Sequence, residues 1–341
     1  FCAQDVILTR SGQVDGAPSV PSRWLQRLDT VLKAAGTDET VYRSGPHLNW
    51  ARALDQQDAY APCPRPAPAP PAFARPRKLS VTAVEEWMKD PYGVYAKHIL
   101  RLRKLDELEK EMDAAERGTV IHAVMERFSR EFDPVMPQNA AIDLFLSIAA
   151  HVMEETRIDS GVTRLWQPRI QNLAQWAVSF EKDWRGQTRP LQCEAEGAVT
   201  LGTSGADFTL TARADRIDLY HAGGAAITDY KSGGDYRASK LKSAELPQLP
   251  LEALILQEGG FENMPPYPVK GLAYCILTGG KTAGKLTRLE NDDLNATIET
   301  AADGLKNFIE TFDDPKTPYL SVPDPKNAPR FSDYTHLARI K

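Results

Sequence analysis

Three ionisable side chains between residues 212 and 233 have types and spacing that suit metal-assisted chemistry. Asp215 precedes a second carboxylate, Asp229, by fourteen residues, and Lys231 follows Asp229 by two. Side chains two apart on a strand point to the same face, so Asp229 and Lys231 would stand side by side. Carboxylate oxygens are the ligands that hard cations such as Mg²⁺ prefer. The stretch therefore predicts a hard-metal site, and a surface salt bridge is the alternative interpretation.

The surrounding residues predict a hairpin that would bring the two carboxylates together. Strand-like residues occupy 208–220 and 225–231, and His221-Ala222-Gly223-Gly224 separates them. Paired glycines readily take the positive φ that a tight hairpin requires. We therefore expect an antiparallel hairpin with Asp215 and Asp229 on neighbouring strands.

A helix is predicted over residues 115–128, with His122 at the edge of its apolar face. The apolar residues recur at helical spacing and are Ile121, Val124, Met125 and Phe128. A histidine in this position is either a structural residue or a metal ligand, and the local sequence leaves both open. Gly118 lies about one turn earlier and is expected to leave room for the imidazole.

Helices and strands continue to alternate along the rest of the chain. Two helices are predicted within residues 139–185, and their aromatic residues are expected in the core; these are Trp166, Trp176, Phe180 and Trp184. The later elements are a strand over 193–201, a helix over 245–256, a strand over 269–277 and a helix over 294–312. This order is typical of an α/β domain in which helices flank a mixed central sheet.

Two polar features keep alternative interpretations open. Glu196 is either an outer metal ligand or a solvent-facing residue of its strand. Lys97, His98, Arg101 and nearby basic residues form either a solvated helix face or a surface for phosphate contacts.

Composition shifts along the chain predict three regions. Residues 6–10 resemble a strand, and a helix is predicted after Ser22, a suitable N-cap. Seven prolines within residues 61–77 exclude a helix and predict an extended linker or an arm laid over a surface. The predicted regions are residues 1–60, the Pro-rich linker 61–78, and a domain over 79–341.

The overall composition is that of a globular chain, with 42% hydrophobic and 26% charged residues. There is no 18-residue apolar run or signal-peptide pattern, so we expect a cytoplasmic protein without a membrane partner. The net charge of −5 does not itself indicate nucleic-acid binding, although a nuclease needs only a local basic surface. The absence of a GxxxxGK[ST] motif argues against an ATP-driven motor in this chain.

Four motifs in order give the chain a resemblance to the RecB-type branch of the PD-(D/E)XK nuclease superfamily. They are Gly118-x-x-x-His122, Asp215 in ADRID, Asp229-Tyr230-Lys231 in ITDYKSG, and Gln248 in QLPLEA. The resemblance covers residues 79–341. The segments VILTRS and DYTHLAR extend it to nuclease subunits of the AddB family, in which residues 1–60 would be a remnant of a helicase-like domain.

The resemblance implies a fold, a reaction and a set of roles. The fold would be PD-(D/E)XK nuclease-like, and the reaction would be exonucleolytic cleavage of DNA in double-strand-break repair and recombination, within a complex with an AddA-like helicase–nuclease subunit. His122, Asp215, Asp229 and the backbone carbonyl of Tyr230 would bind Mg²⁺, with Mn²⁺ as an alternative. Lys231 would orient or deprotonate the attacking water, and Gln248 would position the site. A catalytically inactive DNA-binding or scaffolding module is the alternative function.

Two departures from the family pattern affect these expectations. Some AddB-type nucleases hold an iron–sulfur cluster with four cysteines, but here Cys275 is the only cysteine after Gln248, so no cluster is predicted. Cys2, Cys63, Cys193 and Cys275 are instead expected to be reduced thiols. Glu252 stands where the family often has Tyr, and it would either perturb substrate contacts or supply an extra carboxylate.

Overall fold

The computed structural model describes residues 6–37, 46–56, 63–105, 114–156, 160–203, 205–290, 293–329 and 331–340. The chain divides into two compact units, Phe1–Pro64 and Arg65–Lys341.

The first unit contains short elements around one amphipathic helix. Its described elements are β1 (Gln13–Val14), β2 (Ala17–Pro18), α1 (Arg23–Ala34) and α2 (His47–Asp55). Ser22 caps α1 as predicted, because its side chain accepts a hydrogen bond from the Leu25 N–H. The strand predicted over residues 6–10 is wrong: these residues are exposed and form no regular element. These elements do not by themselves show a helicase fold, so that origin for residues 1–60 stays a prediction.

The second unit is a mixed α/β structure with helices on both faces of one sheet. Its helices are α3 (Val81–Lys89), α4 (Pro91–Val94), α5 (Ala114–Glu131), α6 (Gln138–Glu155), α7 (Ser160–Arg185), α8 (Ala238–Lys242), α9 (Gln248–Gln257) and α10 (Asp293–Asp313). Its strands are β3 (Lys78–Ser80), β4 (Thr188–Leu201), β5 (Phe208–Tyr220), β6 (Ala225–Lys231), β7 (Val269–Leu277) and β8 (Gly284–Glu290). A π-helix over Tyr95–Ile99 follows α4.

The strand β5 is the organising strand of the sheet. It pairs antiparallel with β4 along one edge, and β3 and β6 share its other edge, β3 parallel and β6 antiparallel. From β6 the sheet continues through the parallel strand β7 to the antiparallel strand β8. The predicted mixed sheet is therefore confirmed, and the hairpin of β5 and β6 lies at its centre.

Two apolar clusters cover the two faces of the sheet, and alternating side chains of the central strands feed them. On β6, Ile227 packs in the cluster with α3, α9 and α10, whereas Tyr230 packs in the cluster with α5, α6 and α7. This alternation follows from the period of two in a β-strand. Asp229 and Lys231 consequently share the face toward α9.

Part of the Pro-rich segment is an arm laid over the second unit. Arg75 is 5% exposed, and its guanidinium donates hydrogen bonds to five backbone carbonyls. The acceptors are the carbonyls of Pro70, Phe312, Asp314, Pro315 and Thr317. The guanidinium also lies 5.5 Å from the centre of the Tyr319 ring. These contacts tie residues 70–75 to the segment that follows α10.

Candidate active site

The hairpin forms over the predicted residues and brings its two carboxylates to neighbouring strands. Its register pairs Arg216 with Thr228 and Leu219 with Ala225. Gly223 and Gly224 have φ values of +90° and +92°, which the reversal between the strands requires of them. On β5 the alternation of side chains between the two faces of the sheet is interrupted beside Asp215. Ala214 and Ile217 pack in the same apolar cluster although they are three residues apart, whereas a regular strand would place them on opposite faces.

Asp229, Lys231 and Gln248 form a closely bonded group between β6 and α9. Lys231 Nζ donates to Asp229 Oδ1 at 3.0 Å and to Gln248 Oε1 at 2.9 Å. Gln248 Nε2 donates to Asp229 Oδ1 at 2.6 Å. Gln248, the first residue of α9, thus holds the side chains of Asp229 and Lys231 in one orientation.

Burial and charge set the protonation of this group. Burial raises the pKa of Asp229 to about 6, although the charge of Lys231 opposes the rise. Burial lowers the pKa of Lys231, but the charge of Asp229 outweighs burial and the pKa is raised. Lys231 is therefore a cation at neutral pH in this arrangement.

Asp215 joins the hairpin to the helix α5. Its Oδ2 accepts a hydrogen bond from the Tyr230 N–H at 2.7 Å and lies 3.3 Å from Nδ1 of His122. Burial lowers the pKa of His122, but the hydrogen bond and charge of Asp215 outweigh burial and raise it. The imidazole also meets the Tyr230 ring edge-on, with 6.1 Å between ring centres.

The donor set of the site fits a divalent cation. Among the described residues, ligand atoms of His122, Glu194 and Asp215 lie within 4.8 Å of one another. Asp229 lies outside that group, and its buried Oδ2 forms an ion pair with Lys231 Nζ at 2.9 Å. Carboxylate oxygens and an imidazole nitrogen this close together around Asp215 are a donor set that suits a divalent cation.

Glu194 is the member of this group that sequence reasoning missed. The predicted strand contains both Glu194 and Glu196, and only Glu196 was considered as an outer ligand. In the structure Glu196 is exposed, whereas Glu194 is half-buried beside Asp215. The signal that could have found Glu194 is the register of β4 against β5, because Cys193 pairs with Arg216 and Ala195 with Ala214.

Glu252 neither faces the solvent nor acts as an ordinary ionised carboxylate. It is fully buried, and its Oε1 accepts a hydrogen bond from Gln248 Nε2 at 3.0 Å. Burial raises the pKa of Glu252 well above its usual value, and the charge of Asp229 adds to the rise. Glu252, one helical turn further along α9, therefore helps to hold the Gln248 side chain in place.

We expect Glu252→Gln to stabilise the fold increasingly as pH rises. An unfolded glutamate has a pKa of about 4.3, and the folded pKa lies well above its usual value. Folded Glu252 therefore retains its proton above that pH, which costs about 1.4 kcal/mol of stability per unit of pKa difference. The amide avoids this cost and keeps the acceptor for Gln248.

Thermal melting of wild type and variant between about pH 5 and about pH 8 checks this expectation. The variant's advantage should grow with pH. Glu258→Gln, at the exposed C-terminal end of α9, is the matched control and should show a smaller change. An advantage of Glu252→Gln that does not change with pH would contradict the account.

A buried ionic network supports the hairpin from the other face of the sheet. Arg216 binds Glu181 through both terminal nitrogens and donates from Nε to Asp218 Oδ2 at 2.7 Å. All three residues have fully buried side chains. Arg216 also donates to the Tyr230 hydroxyl at 3.3 Å, so the network holds the residue between Asp229 and Lys231.

Other features predicted from the sequence are also described by the structure. Gly118 does not make room for the His122 imidazole as predicted, because a Cβ at residue 118 would instead lie 3.4 Å from the Oγ of Ser232, the residue that follows Lys231 in the sequence. Lys97 pairs with Glu86 at 3.0 Å on an exposed surface. Cys193 and Cys275 are buried and Cys63 is exposed, while Cys2 lies outside the described residues.

None of the described helices combines the length and the apolar character needed to cross a membrane.

Comparison with protein families assigns residues 78–322 to the PD-(D/E)XK nuclease superfamily. The chain belongs to this superfamily. The match spans the strand β3, the helices α3 to α10 and the whole sheet, so it includes every residue of the site described above. Nucleases of this superfamily typically use divalent metals, in agreement with the donor set around Asp215.

Individual relatives of this PD-(D/E)XK chain include longer proteins. An uncharacterised protein of Rickettsia conorii is 31% identical over 194 residues, which are 56% of this chain and 23% of that protein. An uncharacterised protein of Rickettsia felis is 28% identical over 261 residues, which are 76% of this chain and 30% of that protein. The chain thus spans less than a third of the length of these relatives.

A solved structure is also similar over part of the chain. The crystal structure of SSO0001 is 12% identical, with 69% of this chain and 77% of that chain covered and a TM-score of 0.29.

Proposed function

We propose that this chain is a metal-dependent DNA exonuclease domain that cleaves phosphodiester bonds during double-strand-break repair and recombination. The observation that supports it most is the bonded group of Asp229, Lys231 and Gln248 beside the Asp215–His122 pair. This arrangement places the Lys231 ammonium and the Gln248 amide next to a carboxylate of the hairpin, where a phosphodiester can meet both a metal and a fixed positive charge.

The metal would be held by four groups of this chain. His122, Asp215, Asp229 and the backbone carbonyl of Tyr230 are the proposed ligands, and Mg²⁺ is the proposed ion. The histidine also makes Mn²⁺ suitable, since imidazole is a better ligand for transition metals than for Mg²⁺. When bound, such an ion polarises the phosphoryl oxygen and makes water a stronger nucleophile.

Lys231 would orient the attacking water and stabilise charge on the phosphate. Its raised pKa favours this role over that of a base, because a protonated amine can only donate. Asp229 and Gln248 would fix the ammonium within hydrogen-bond reach of the reacting groups. Gln248 would act as a positioning residue, with Glu252 beneath it.

A groove beside the site offers contacts for DNA. It has a volume of about 870 Å³ and runs from Ile121 and Ser232 past Arg117, Arg169 and Trp166. The Arg117 guanidinium lies 6.0 Å from the centre of the Trp166 ring. Arginines can contact phosphates, and a partly exposed aromatic ring such as that of Trp166 can stack on a base, so this surface is suited to DNA.

A second part of the proposal concerns the protein complex in which this chain would work. The order of the four motifs and the segments at residues 6–11 and 333–339 support an AddB-type subunit that works with an AddA-like partner in the cytoplasm. In such an assembly the ATP-driven steps would belong to other parts of the complex, since this chain has no phosphate-binding GxxxxGK[ST] loop.

We expect Lys231→Ala to reduce the rate of DNA cleavage by about 10²–10³-fold, the usual loss when one donor to a developing charge is removed. Release of nucleotides from labelled linear DNA with Mg²⁺ or Mn²⁺ is the measurement. Lys270→Ala, at an exposed position of β7, is the matched control and should cleave like wild type. Unchanged cleavage in Lys231→Ala would contradict the role proposed for Lys231, whereas no cleavage by wild type would favour a DNA-binding module instead.

A further inference from the structure

The aromatic ring of Tyr236 lies beside the Lys231 ammonium. Lys231 Nζ is 5.7 Å from the centre of the Tyr236 ring and 5.9 Å from the centre of the Tyr274 ring. The two rings pack against each other, with 4.7 Å between their centres and 41° between their planes. A lysine ammonium within about 6 Å of an aromatic ring centre is attracted by the negative face of the ring. The two tyrosines therefore add a second set of contacts to the hydrogen bonds of Lys231.

These contacts restrain a side chain that is flexible by its chemistry. Lysine has a four-carbon stem, and its ammonium carries three N–H groups that can turn toward different acceptors. Asp229 Oδ1 and Gln248 Oε1 accept hydrogen bonds from Lys231 Nζ at 3.0 Å and 2.9 Å. Together, the two acceptors and the two rings limit the positions that the ammonium can take.

Tyr236 differs from Tyr274 in its place in the fold. Tyr274 is a fully buried residue of β7 and pairs with Asp229 across the sheet. Tyr236 lies in the loop between β6 and α8, is only partly buried, and lines the groove beside the site. A substitution at residue 236 can therefore change the surroundings of Lys231 without removing a side chain from the core.

The backbone at Gly234 allows Tyr236 to return to Lys231. Gly234 has a φ of +119°, a conformation that residues with a side chain rarely adopt. A Cβ at residue 234 would also lie 2.5 Å from Cε2 of the Tyr236 ring, which is too close for two carbon atoms. At Gly233, by contrast, φ is not positive and a Cβ would have open space around it. The position of the ring thus depends on glycine at residue 234.

We propose that Tyr236 is a positioning residue of the cleavage reaction and that its ring holds the Lys231 ammonium in place through a cation–π contact. The inference rests on the nuclease function proposed above, in which Lys231 orients the attacking water. The ring raises the fraction of chains whose ammonium points toward the reacting groups. Its effect is smaller than that of Lys231 itself, because Asp229 and Gln248 still hold the ammonium when the ring is lost.

Steady-state cleavage of labelled linear DNA by the full chain with Mn²⁺ tests this role. Tyr236→Leu removes the ring, and we expect kcat to fall roughly 5- to 30-fold, the factor for a contact of about 1–2 kcal/mol at about 1.4 kcal/mol per tenfold. KM should stay near that of wild type, because Lys231 acts on the reacting groups. Tyr236→Phe keeps the ring and should recover most of kcat. Tyr267→Leu makes the same change at another partly buried tyrosine of the same apolar cluster and should cleave like wild type.

Gly234→Ala displaces the ring without removing it, so it tests the same role independently of Tyr236→Leu. Its kcat should also fall, whereas Gly233→Ala should have a much smaller effect. In a Lys231→Ala background, Tyr236→Leu should cause no further loss, because the ring then has no ammonium to hold. Circular dichroism checks that each variant is folded.

The outcomes separate this inference from the proposed function. The positioning role would be overturned by an unchanged kcat in a folded Tyr236→Leu chain, by a loss confined to KM, or by an equal loss in the Lys231→Ala background. It would also be overturned if Tyr236→Phe were no more active than Tyr236→Leu. Each of these results leaves the nuclease proposal standing, whereas a wild-type chain that cleaves no DNA would overturn both.

Discussion

Asp229→Asn should abolish DNA cleavage and weaken Mn²⁺ binding by more than about 100-fold, the upper end of the loss for residues that only support a ligand. Asn keeps the shape of the side chain but loses the negative charge that would bind the cation. It also leaves Lys231 as a largely buried ammonium without its counter-charge, because Asp229 is the carboxylate bonded to its Nζ. A single change thus removes a proposed metal ligand and disturbs the Lys231 ammonium that would orient water.

Cleavage of labelled DNA and calorimetry with Mn²⁺ measure the two effects. Asp303→Asn makes the same substitution on an exposed face of α10 and should behave as wild type in both. Near-normal cleavage in a folded Asp229→Asn chain would show that the reaction takes place elsewhere.

Arg216→Ala should lower the free energy of unfolding by about 3–5 kcal/mol, since it breaks a buried pair by removing one partner. Glu181 and Asp218 would remain as fully buried carboxylates that have lost their main counter-charge. The Tyr230 hydroxyl would lose its contact as well, which would loosen the segment between Asp229 and Lys231. The melting temperature should fall by on the order of 10 °C for a unit of this size.

Denaturant unfolding of Arg216→Ala and Arg127→Ala provides the comparison. Arg127 also forms a two-nitrogen ion pair, with Glu155, but both side chains are substantially exposed. Its removal should cost no more than about 1 kcal/mol. Similar losses of unfolding free energy in the two variants would mean that burial does not make the Arg216 network more stabilising than an exposed ion pair.

The central hairpin could be predicted because its sequence carries redundant signals. Strand-like residues on both sides and the paired glycines at 223 and 224 agree with one another, and the structure places the strands over the predicted residues. The strand β7 and the helices α5 to α7 were predicted for the same reason. Long elements with a clear period leave few alternatives.

Elements whose form depends on distant partners could not be predicted. The three-residue strand β3 was missed because its pairing with β5 joins residues far apart in the sequence, and the Ser80 cap of the following helix dominates the local pattern. The strand β8 follows the turn after β7 and was not recognised. Residues 6–10 show the opposite error, a strand that was predicted but is not formed, because an apolar run without a neighbouring strand to pair with does not make a strand.

The site was predictable as a set of motifs but not as a geometry. Asp229 and Lys231 follow from spacing on one strand, and their contact is observed. The position of Glu194 depends on the register between two strands and on its backbone, which has a positive φ of 53°. The burial of Glu252 depends on how α9 packs against the sheet, and one sequence cannot show that packing.

A crystal structure of the chain grown with Mn²⁺ tests the central claim most directly, because the anomalous signal of the ion marks its position. We predict one ion at about 2.0–2.6 Å from ligand atoms of His122, Asp215 and Asp229. Lys231 should remain bonded to Gln248 beside it. A chain that binds Mn²⁺ only away from these three residues, or not at all, would contradict the account.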